Sequence, residues 1–130
     1  MVSILDDHSR YILSSQIFEH ATTHNILLLL KNTIINYGKP VQILTDHGRQ
    51  FYNKYCKSDF DIFFVQDKIE HVMWAIGIPT TLGKMKRWHH TFDVERSPFS
   101  RHEQFIKYYN NKRVHISLDF MIPRQVYKWM

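Results

Sequence analysis

Val41 to Phe51 reads Val-Gln-Ile-Leu-Thr-Asp-His-Gly-Arg-Gln-Phe, and this stretch decides how the chain is organised. A short apolar run ends with Ile43 and Leu44 and stops abruptly at Asp46. This pattern predicts a buried strand that carries one carboxylate at its C-terminal end. A rigid sheet holds such a carboxylate steadily enough to bind a divalent metal ion. The alternative is that Asp46 only closes the turn before Gly48, because aspartate followed by glycine is common in ordinary turns.

Composition and charge limit the class of protein. The 130 residues are enough for one domain with its own core, and a 44% hydrophobic content is globular. The net charge of +5 favours a polyanionic partner such as nucleic acid, although many basic proteins bind none. Cys56 is the only cysteine, which excludes an internal disulfide and favours a reducing, cytoplasmic compartment. No apolar run approaches the roughly 20 residues of a membrane span, so no membrane partner is expected.

The first half of the chain predicts a hairpin, a helix and a strand. Two apolar runs, 2–5 and 11–18, flank a polar turn that contains Asp6 and Asp7. These carboxylates are either metal ligands or turn residues, and the turn interpretation is favoured. Thr22 and Thr23 are candidate N-caps of a helix that runs to about residue 37, where Gly38 ends it. Together with the strand that ends at Asp46, this order is typical of a mixed α/β sheet.

The second half is predicted to be mainly helical. Residues 52–59 are predicted to form a loop, and the second half of 60–74 a helix ending near Gly77. Further helices are predicted over 84–96, over 102–111 and from Pro123 onwards, the last with Val126, Tyr127 and Trp129 on its apolar side.

The predicted helix 84–96 has two contrasting faces. Met85, Trp88, Phe92 and Glu95 recur at three- and four-residue steps on one side. The first turns are strongly basic, which suggests phosphate binding, although a solvated face is the common alternative. The candidate nucleic-acid-binding residues of the chain are Lys84, Lys86, Arg87, His89, His90, Lys112 and Arg113.

With these pieces in place, the chain resembles the catalytic core of DDE transposases and retroviral-type integrases, and especially insertion-sequence transposases. Four ordered motifs carry the resemblance. Residues 4–12 look like the Asp-Asp-x-Ser-Arg hairpin, and residues 43–51 like the segment with the second catalytic Asp, here Asp46. Residues 83–91 look like the Gly-Lys-x-Glu-Arg-Phe/Trp-His-x-Thr helix, and residues 105–118 like the terminal Tyr-Asn-x-x-Arg-x-His-x-Ser-Leu signature.

The resemblance implies an RNase H-like fold, with a mixed sheet flanked by helices, in a single catalytic-core domain over 1–130. In the family, three carboxylates hold two divalent metals, Mg²⁺ or Mn²⁺, that activate the attacking oxygen and stabilise the leaving oxygen during DNA strand transfer. The implied partners are the DNA ends of a mobile element and a second copy or a full-length transposase. The implied location is the cytoplasm, on the nucleoid when DNA is bound.

The chain departs from the family pattern in three ways. The family's first catalytic Asp lies on a strand before the hairpin, and Met1 begins too late to include it, so an N-terminally truncated core is expected. Lys86 stands at the position of the catalytic Glu, where a cation repels metals. Gly77 and Ile78 run straight into Pro79, as though the strand before the Glu helix were missing. The expected sheet therefore keeps only three strands, the hairpin and the strand that ends at Asp46.

No other carboxylate is a convincing substitute for the missing Glu. Glu95 lies nine residues beyond Lys86, about 13 Å along a helix, and Glu70 lies on a different predicted helix. Three hypotheses follow. The first is a catalytically inactive transposase core that still binds DNA. The second is an active transferase completed by a partner chain, which Lys86 opposes. The third is a non-catalytic protein that interacts with transposase oligomers.

Overall fold

The computed structural model describes residues 1–46, 48, 50–73 and 82–128 of the chain. It divides into two compact units, unit 1 (Met1–Val2 and Ile17–Leu82) and unit 2 (Ser3–Gln16 and Gly83–Met130). The mixture of helices and strands confirms the predicted α/β class. In chain order the elements are β1 (Val2–Leu5), β2 (Ile12–Gln16), α1 (Thr23–Tyr37), β3 (Gln42–Thr45), α2 (Asp59–Gln66), β4 (Glu70–Met73), α3 (Gly83–Glu95), α4 (His102–Asn111), a 3-10 turn (Ile116–Leu118) and α5 (Pro123–Lys128).

Helix α1 of unit 1 begins and ends at the caps that its sequence predicts. Thr22 Oγ1 accepts a hydrogen bond from the N–H of Asn25 at 3.2 Å, which satisfies one N–H of the first turn. At the other end the N–H of Gly38 donates to the carbonyl of Ile34 at 2.8 Å. Gly38 has φ +94°, a conformation that L side chains rarely adopt. The buried positions follow helical spacing, with Ile26, Leu30 and Thr33 facing inward.

The segment 59–73 folds differently from its sequence prediction. The sequence predicted a helix in the second half of this segment. In the structure the helix, α2, occupies the first half, and the second half forms the strand β4. A capping box starts the helix early: the N–H of Asp61 donates to Ser58 Oγ at 3.1 Å, and the N–H of Ser58 donates to the Asp61 carboxylate at 2.8 Å. Lys68, at φ +55°, then takes the chain out of the helical path. The predicted helix end near Gly77 lies outside the described residues.

Strand β4 pairs in parallel with β3, from Gln42 opposite Glu70 to Thr45 opposite Met73. The strand predicted to be missing would follow Ile78, which lies outside the described residues, whereas β4 occupies residues for which a helix was predicted. Such a short strand has little periodicity of its own, and its pairing with a distant strand decides its conformation. Among the described residues, β1–β2 and β3–β4 form two two-stranded sheets, where a single three-stranded sheet was expected.

In unit 2, β1 and β2 are hydrogen-bonded neighbours joined by a short turn, which is the predicted hairpin. The Asp6 carboxylate accepts the N–H of Ser9 at 2.8 Å and its hydroxyl at 2.6 Å. Arg10, at φ +64°, turns back so that its guanidinium donates to the carbonyl of Asp7. The turn interpretation of Asp6 is therefore confirmed.

The core of unit 2 is aromatic and lies between α3 and α4. The rings of Trp88 and Tyr109 are 4.7 Å apart, and those of Phe92 and Phe105 are 5.4 Å apart. All four side chains are buried. The predicted apolar side of the helix at 84–96 is thus confirmed, since Trp88 and Phe92 are its buried members. In the last helix, the predicted apolar position of Trp129 lies outside the described residues.

Candidate functional site

Asp46 follows the last residue of β3, as the sequence predicts for a carboxylate delivered by a strand. Its side chain is exposed, and Oδ1 accepts the N–H of Gly48 at 2.8 Å. A Cβ added to Gly48 would lie only 2.8 Å from that same oxygen and from Oε1 of Gln50, so a side chain at this position would have to displace both oxygens. One oxygen of the carboxylate is thus occupied by closing the turn, which is the structural alternative predicted for this residue.

Unit 1 contains a polar network, centred on His71, that the sequence analysis did not predict. Thr45 Oγ1 and His71 Nε2 are 2.7 Å apart, and His71 Nδ1 is 3.9 Å from the Asp61 carboxylate. The ring of Phe64 packs against the imidazole at 4.5 Å. Burial lowers the pKa of His71, and Asp61 opposes this less strongly. The neutral imidazole therefore ties β4 to β3 and α2. The sequence analysis did not predict this network because it placed residues 70–73 in a helix and not in a strand.

Helix α3 of unit 2 carries the basic positions predicted to contact nucleic acid. Lys86, Arg87, His89 and His90 have exposed side chains on this helix. Burial of part of its ring lowers the pKa of His89, so this residue is less cationic than its exposure suggests. The exposed face is consistent with both alternatives given above, a phosphate-binding face and a solvated one.

Lys84 has a structural partner. Its Nζ lies 2.7 Å from the Asp7 carboxylate and 3.0 Å from the Asp7 carbonyl oxygen. The first turn of α3 has no acidic residue of its own, and a cation there is unfavourable beside the positive end of the helix dipole. Asp7 supplies the compensating negative charge. Lys84 is therefore a link between the hairpin turn and α3.

Arg113 is also engaged within unit 2. Its Nε and Nη2 donate to the two oxygens of Glu95 at 2.8 and 2.7 Å, a bidentate ion pair. The hydrogen bond from Arg113 lowers the pKa of Glu95, and the same bond raises the pKa of Arg113. Lys112, by contrast, is exposed at the end of α4. Of the two predicted cations in this segment, Lys112 is the one whose side chain faces solvent.

The Glu95–Arg113 pair predicts a pH-dependent stability. The folded pKa of Glu95 is below its ordinary value of 4.5, so its contribution is present above that value and is lost as pH falls through the folded pKa. Because both side chains are partly exposed, Glu95→Gln should cost no more than about 1 kcal/mol at neutral pH. Urea unfolding of both chains at about pH 7 and about pH 3.5 tests this. Glu19→Gln, at an exposed position, is the control. A difference that stays constant with pH would contradict the assignment.

The terminal signature at 109–118 acts as a structural brace in unit 2. Asn110 Oδ1 accepts the N–H of Ile12, and Nδ2 donates to its carbonyl, both at 2.9 Å. The imidazole of His115 meets the ring of Tyr109 edge-on at 4.9 Å, and burial lowers its pKa to about 4. Leu118 is buried in the same core. These residues therefore hold α4, β2 and the following turn together.

The donor set of the described residues does not fit a two-metal centre. Within 1–46, 48, 50–73 and 82–128, no group of three or more His, Cys, Asp or Glu side chains is arranged to hold a metal ion. Mg²⁺ needs several oxygen ligands, and Asp46 offers one carboxylate of which one oxygen already accepts a hydrogen bond. In the same ranges, every helix is too short or too polar to cross a bilayer.

Comparison with known proteins identifies the family. The integrase core domain model matches residues 1–84, whereas no curated protein matches the chain. A chain of the simian T-cell lymphotropic virus intasome, in complex with PP2A regulatory subunit B56 gamma, superposes with a TM-score of 0.75 at 17% identity, covering 95% of this chain and 46% of that one. The chain thus spans less than half of that relative.

Two HTLV-2 integrase catalytic core structures in complex with magnesium are also similar. The dimeric form has a TM-score of 0.67 at 17% identity and covers 94% of this chain and 79% of that one. The trimeric form has a TM-score of 0.68 at 18% identity and covers 94% and 80%. At these identities the structures establish the fold, and the family model establishes the membership. The chain belongs to the integrase core domain family and has its RNase H-like fold.

Proposed function

We propose that this protein is a catalytically inactive integrase core, related to insertion-sequence transposases, that retains the ability to bind DNA. The observation that carries the proposal is Lys86. It lies in α3 at the position where the resembling motif has its catalytic Glu, and its side chain is exposed. An exposed position tolerates exchange without disturbing the buried face of the same helix, so chemistry can be lost while the fold persists.

Lys86 opposes metal-dependent strand transfer for an electrostatic reason. In the family, three carboxylates offset the charge of two divalent ions. Replacing Glu by Lys changes the local charge by two units and puts an ammonium group where an oxygen ligand is needed. Among the described residues, Asp46 is then the carboxylate that remains at a catalytic position of the family motifs. One carboxylate is a poor ligand set for Mg²⁺.

DNA binding is proposed on the exposed cations of α3 and on Lys112. Lys86, Arg87, His89 and His90 have exposed side chains on α3, and Lys112 is exposed at the end of α4. Cations that contact phosphates release counterions, so the affinity should fall steeply with salt. We place this activity in the cytoplasm, on the nucleoid when DNA is bound.

A second candidate is interaction with oligomers of an active transposase. The HTLV-2 catalytic core structures are described as dimeric and trimeric. In unit 1, α1 exposes Leu28 and Ile35, and α2 exposes Ile62 and Val65. Exposed apolar side chains of this kind favour protein contacts. Sedimentation that shows association without any salt-dependent DNA affinity would favour this candidate.

The test of inactivity is nicking and strand transfer on the terminal DNA of the parent element with Mg²⁺ and with Mn²⁺. The native chain is compared with a Lys86→Glu chain that carries the family's preceding strand, with its Asp, ahead of Met1. We expect no product from the native chain, in which Lys86 replaces a metal-binding carboxylate, and product from the second chain. Product from the native chain that disappears in Asp46→Ala would refute the proposal.

A further inference from the structure

The loop at 114–120 in unit 2 exposes large apolar side chains from a firmly held backbone. Ile116 is 79% exposed, Phe120 is 71% exposed and Val114 is 53% exposed. Beneath them, His115 and Leu118 are buried and fix the loop to the core. Single exposed apolar residues are ordinary, but three within seven positions on a fixed loop indicate a contact surface.

The backbone of this loop is closed by its own hydrogen bonds. The N–H of His115 donates to Met121 at 3.1 Å, and the N–H of Phe120 donates back to His115 at 3.0 Å. The N–H groups of Leu118, Asp119 and Met121 donate to carbonyls within the same segment. The backbone that carries the exposed side chains is therefore already ordered, which reduces the entropy lost when the loop binds a partner.

Two consecutive residues of the loop have left-handed backbone conformations. Asp119 has φ +52° and Phe120 has φ +63°. Aspartate tolerates this conformation, but a bulky residue such as phenylalanine is strained in it. Because the ring of Phe120 is exposed, burial contributes little to offset this strain. Strained residues of this kind cluster at sites of binding.

The charge around the loop indicates the class of partner. Residues 107–128 contain five cations and one acid, Asp119. Arg124 Nη1 donates to the side chain of Asn111 at 2.9 Å, which brings this cation beside Lys112 at the end of α4. A polyanion with flat apolar faces matches such a surface, and a nucleic acid with accessible bases has both features.

We propose that the 114–120 loop contacts unpaired bases of DNA, with Phe120 stacked on a base and Ile116 beside it, while Lys112 and Arg124 hold the adjacent phosphates. This rests on the proposed DNA binding and adds a base-contacting surface to the cationic face of α3. An aromatic ring can stack on any base, so this contact recognises unpaired DNA independently of its sequence.

The test measures affinity for a DNA duplex with a short single-stranded end, and for the same DNA with abasic sites in that end. We expect the native chain to bind the abasic DNA about tenfold more weakly, the size typical of one base–aromatic stack. Phe120→Ala should bind both DNAs with the same reduced affinity and an unchanged salt dependence. Ile35→Ala changes another highly exposed apolar residue, on α1, and as the control it should behave like the native chain.

The stability of the variants separates a binding role from a structural one. Phe120→Gly removes the ring and relieves the left-handed strain, so its thermal midpoint should not fall although its DNA affinity does. A lower midpoint would show that Phe120 supports the fold and would overturn the inference. Equal affinity of the native chain for the two DNAs would overturn it while leaving DNA binding intact. If the native chain shows no salt-dependent binding to either DNA, both this inference and the proposed DNA binding are overturned. If Phe120→Ala loses self-association while its DNA affinity is unchanged, the inference is overturned and the loop contacts a protein partner.

Discussion

Replacing Trp88 by alanine is expected to destabilise the protein by about 3–5 kcal/mol, a large share of the roughly 5–15 kcal/mol that stabilises a native domain. Trp88 is 1% exposed and packs against the rings of Phe92, Phe105 and Tyr109 at 4.7–5.9 Å. Its indole N–H also donates to the hydroxyl of Ser3 at 2.9 Å, which links α3 to β1. Truncation removes the largest fully buried side chain among the described residues and leaves a cavity among aromatic residues.

Urea unfolding of the two chains measures the effect of Trp88→Ala. Trp88→Phe keeps an aromatic ring but loses the hydrogen bond to Ser3, so its free energy of unfolding should lie between those of the native chain and the alanine variant. Tyr55→Ala is the surface control, because Tyr55 is 91% exposed. A Trp88→Ala chain that unfolds at the native urea concentration would mean that α3 and α4 do not share this core.

Asn110→Leu is expected to lower the free energy of unfolding by a similar amount for a different reason. The two ends of the Asn110 amide pair with the N–H and carbonyl of Ile12, so this side chain acts as a strand partner for the start of β2. Leucine fills nearly the same volume but leaves both backbone groups unpaired. Each orphaned buried group costs about 1–3 kcal/mol, which gives about 2–6 kcal/mol for the pair.

The neighbouring asparagine provides the control for this change. Asn111 Nδ2 donates to the carbonyl of Lys107 and Oδ1 accepts from Arg124, both in exposed bonds, so Asn111→Ala should change stability by less than about 0.5 kcal/mol. Amide hydrogen exchange at Ile12 gives an independent readout, since Asn110→Leu should raise the exchange rate of that N–H specifically. Unchanged protection of Ile12 would show that another group replaces the Asn110 contact.

Sequence patterns predicted most helices because their local signals agree. Helix α1 has an N-cap at Thr22, an apolar stripe and a terminal Gly38, and the structure follows all three. The pattern failed between α2 and β4, where the apolar residues cluster without clear periodicity. The capping box at Ser58 was the local signal that could have placed the helix correctly. The pairing of β4 with β3 joins residues 28 apart, and no local pattern encodes it.

The candidate site was predicted less completely than the fold. Asp46 lies at the end of its strand as expected, and the cationic face of α3 is exposed. The sequence did not reveal that Lys84 pairs with Asp7, 77 residues away, or that Arg113 pairs with Glu95. Long-range ion pairs of this kind are decided by tertiary structure, so a cation in a basic stretch is not necessarily available to a phosphate.

The distribution of these contacts explains how the fold tolerates Lys86. Trp88 and Phe92 face the core from α3, and the signature at 109–118 braces α4 against β2. Lys86 lies on the exposed side of the same helix. The residues that maintain the fold are therefore separate from Lys86, and the proposed exchange of Glu for Lys at this position should cost little stability.

Titration of Mn²⁺ into the native chain and into Asp46→Ala, followed by water proton relaxation, tests most directly whether the metal centre has been lost. We expect no saturable site at Mn²⁺ concentrations below about 1 mM, and the same curve for both chains, because one carboxylate is a weak ligand set. A saturable site in the micromolar range that disappears in Asp46→Ala would contradict this account, since it would mean that Asp46 belongs to an intact metal centre despite Lys86.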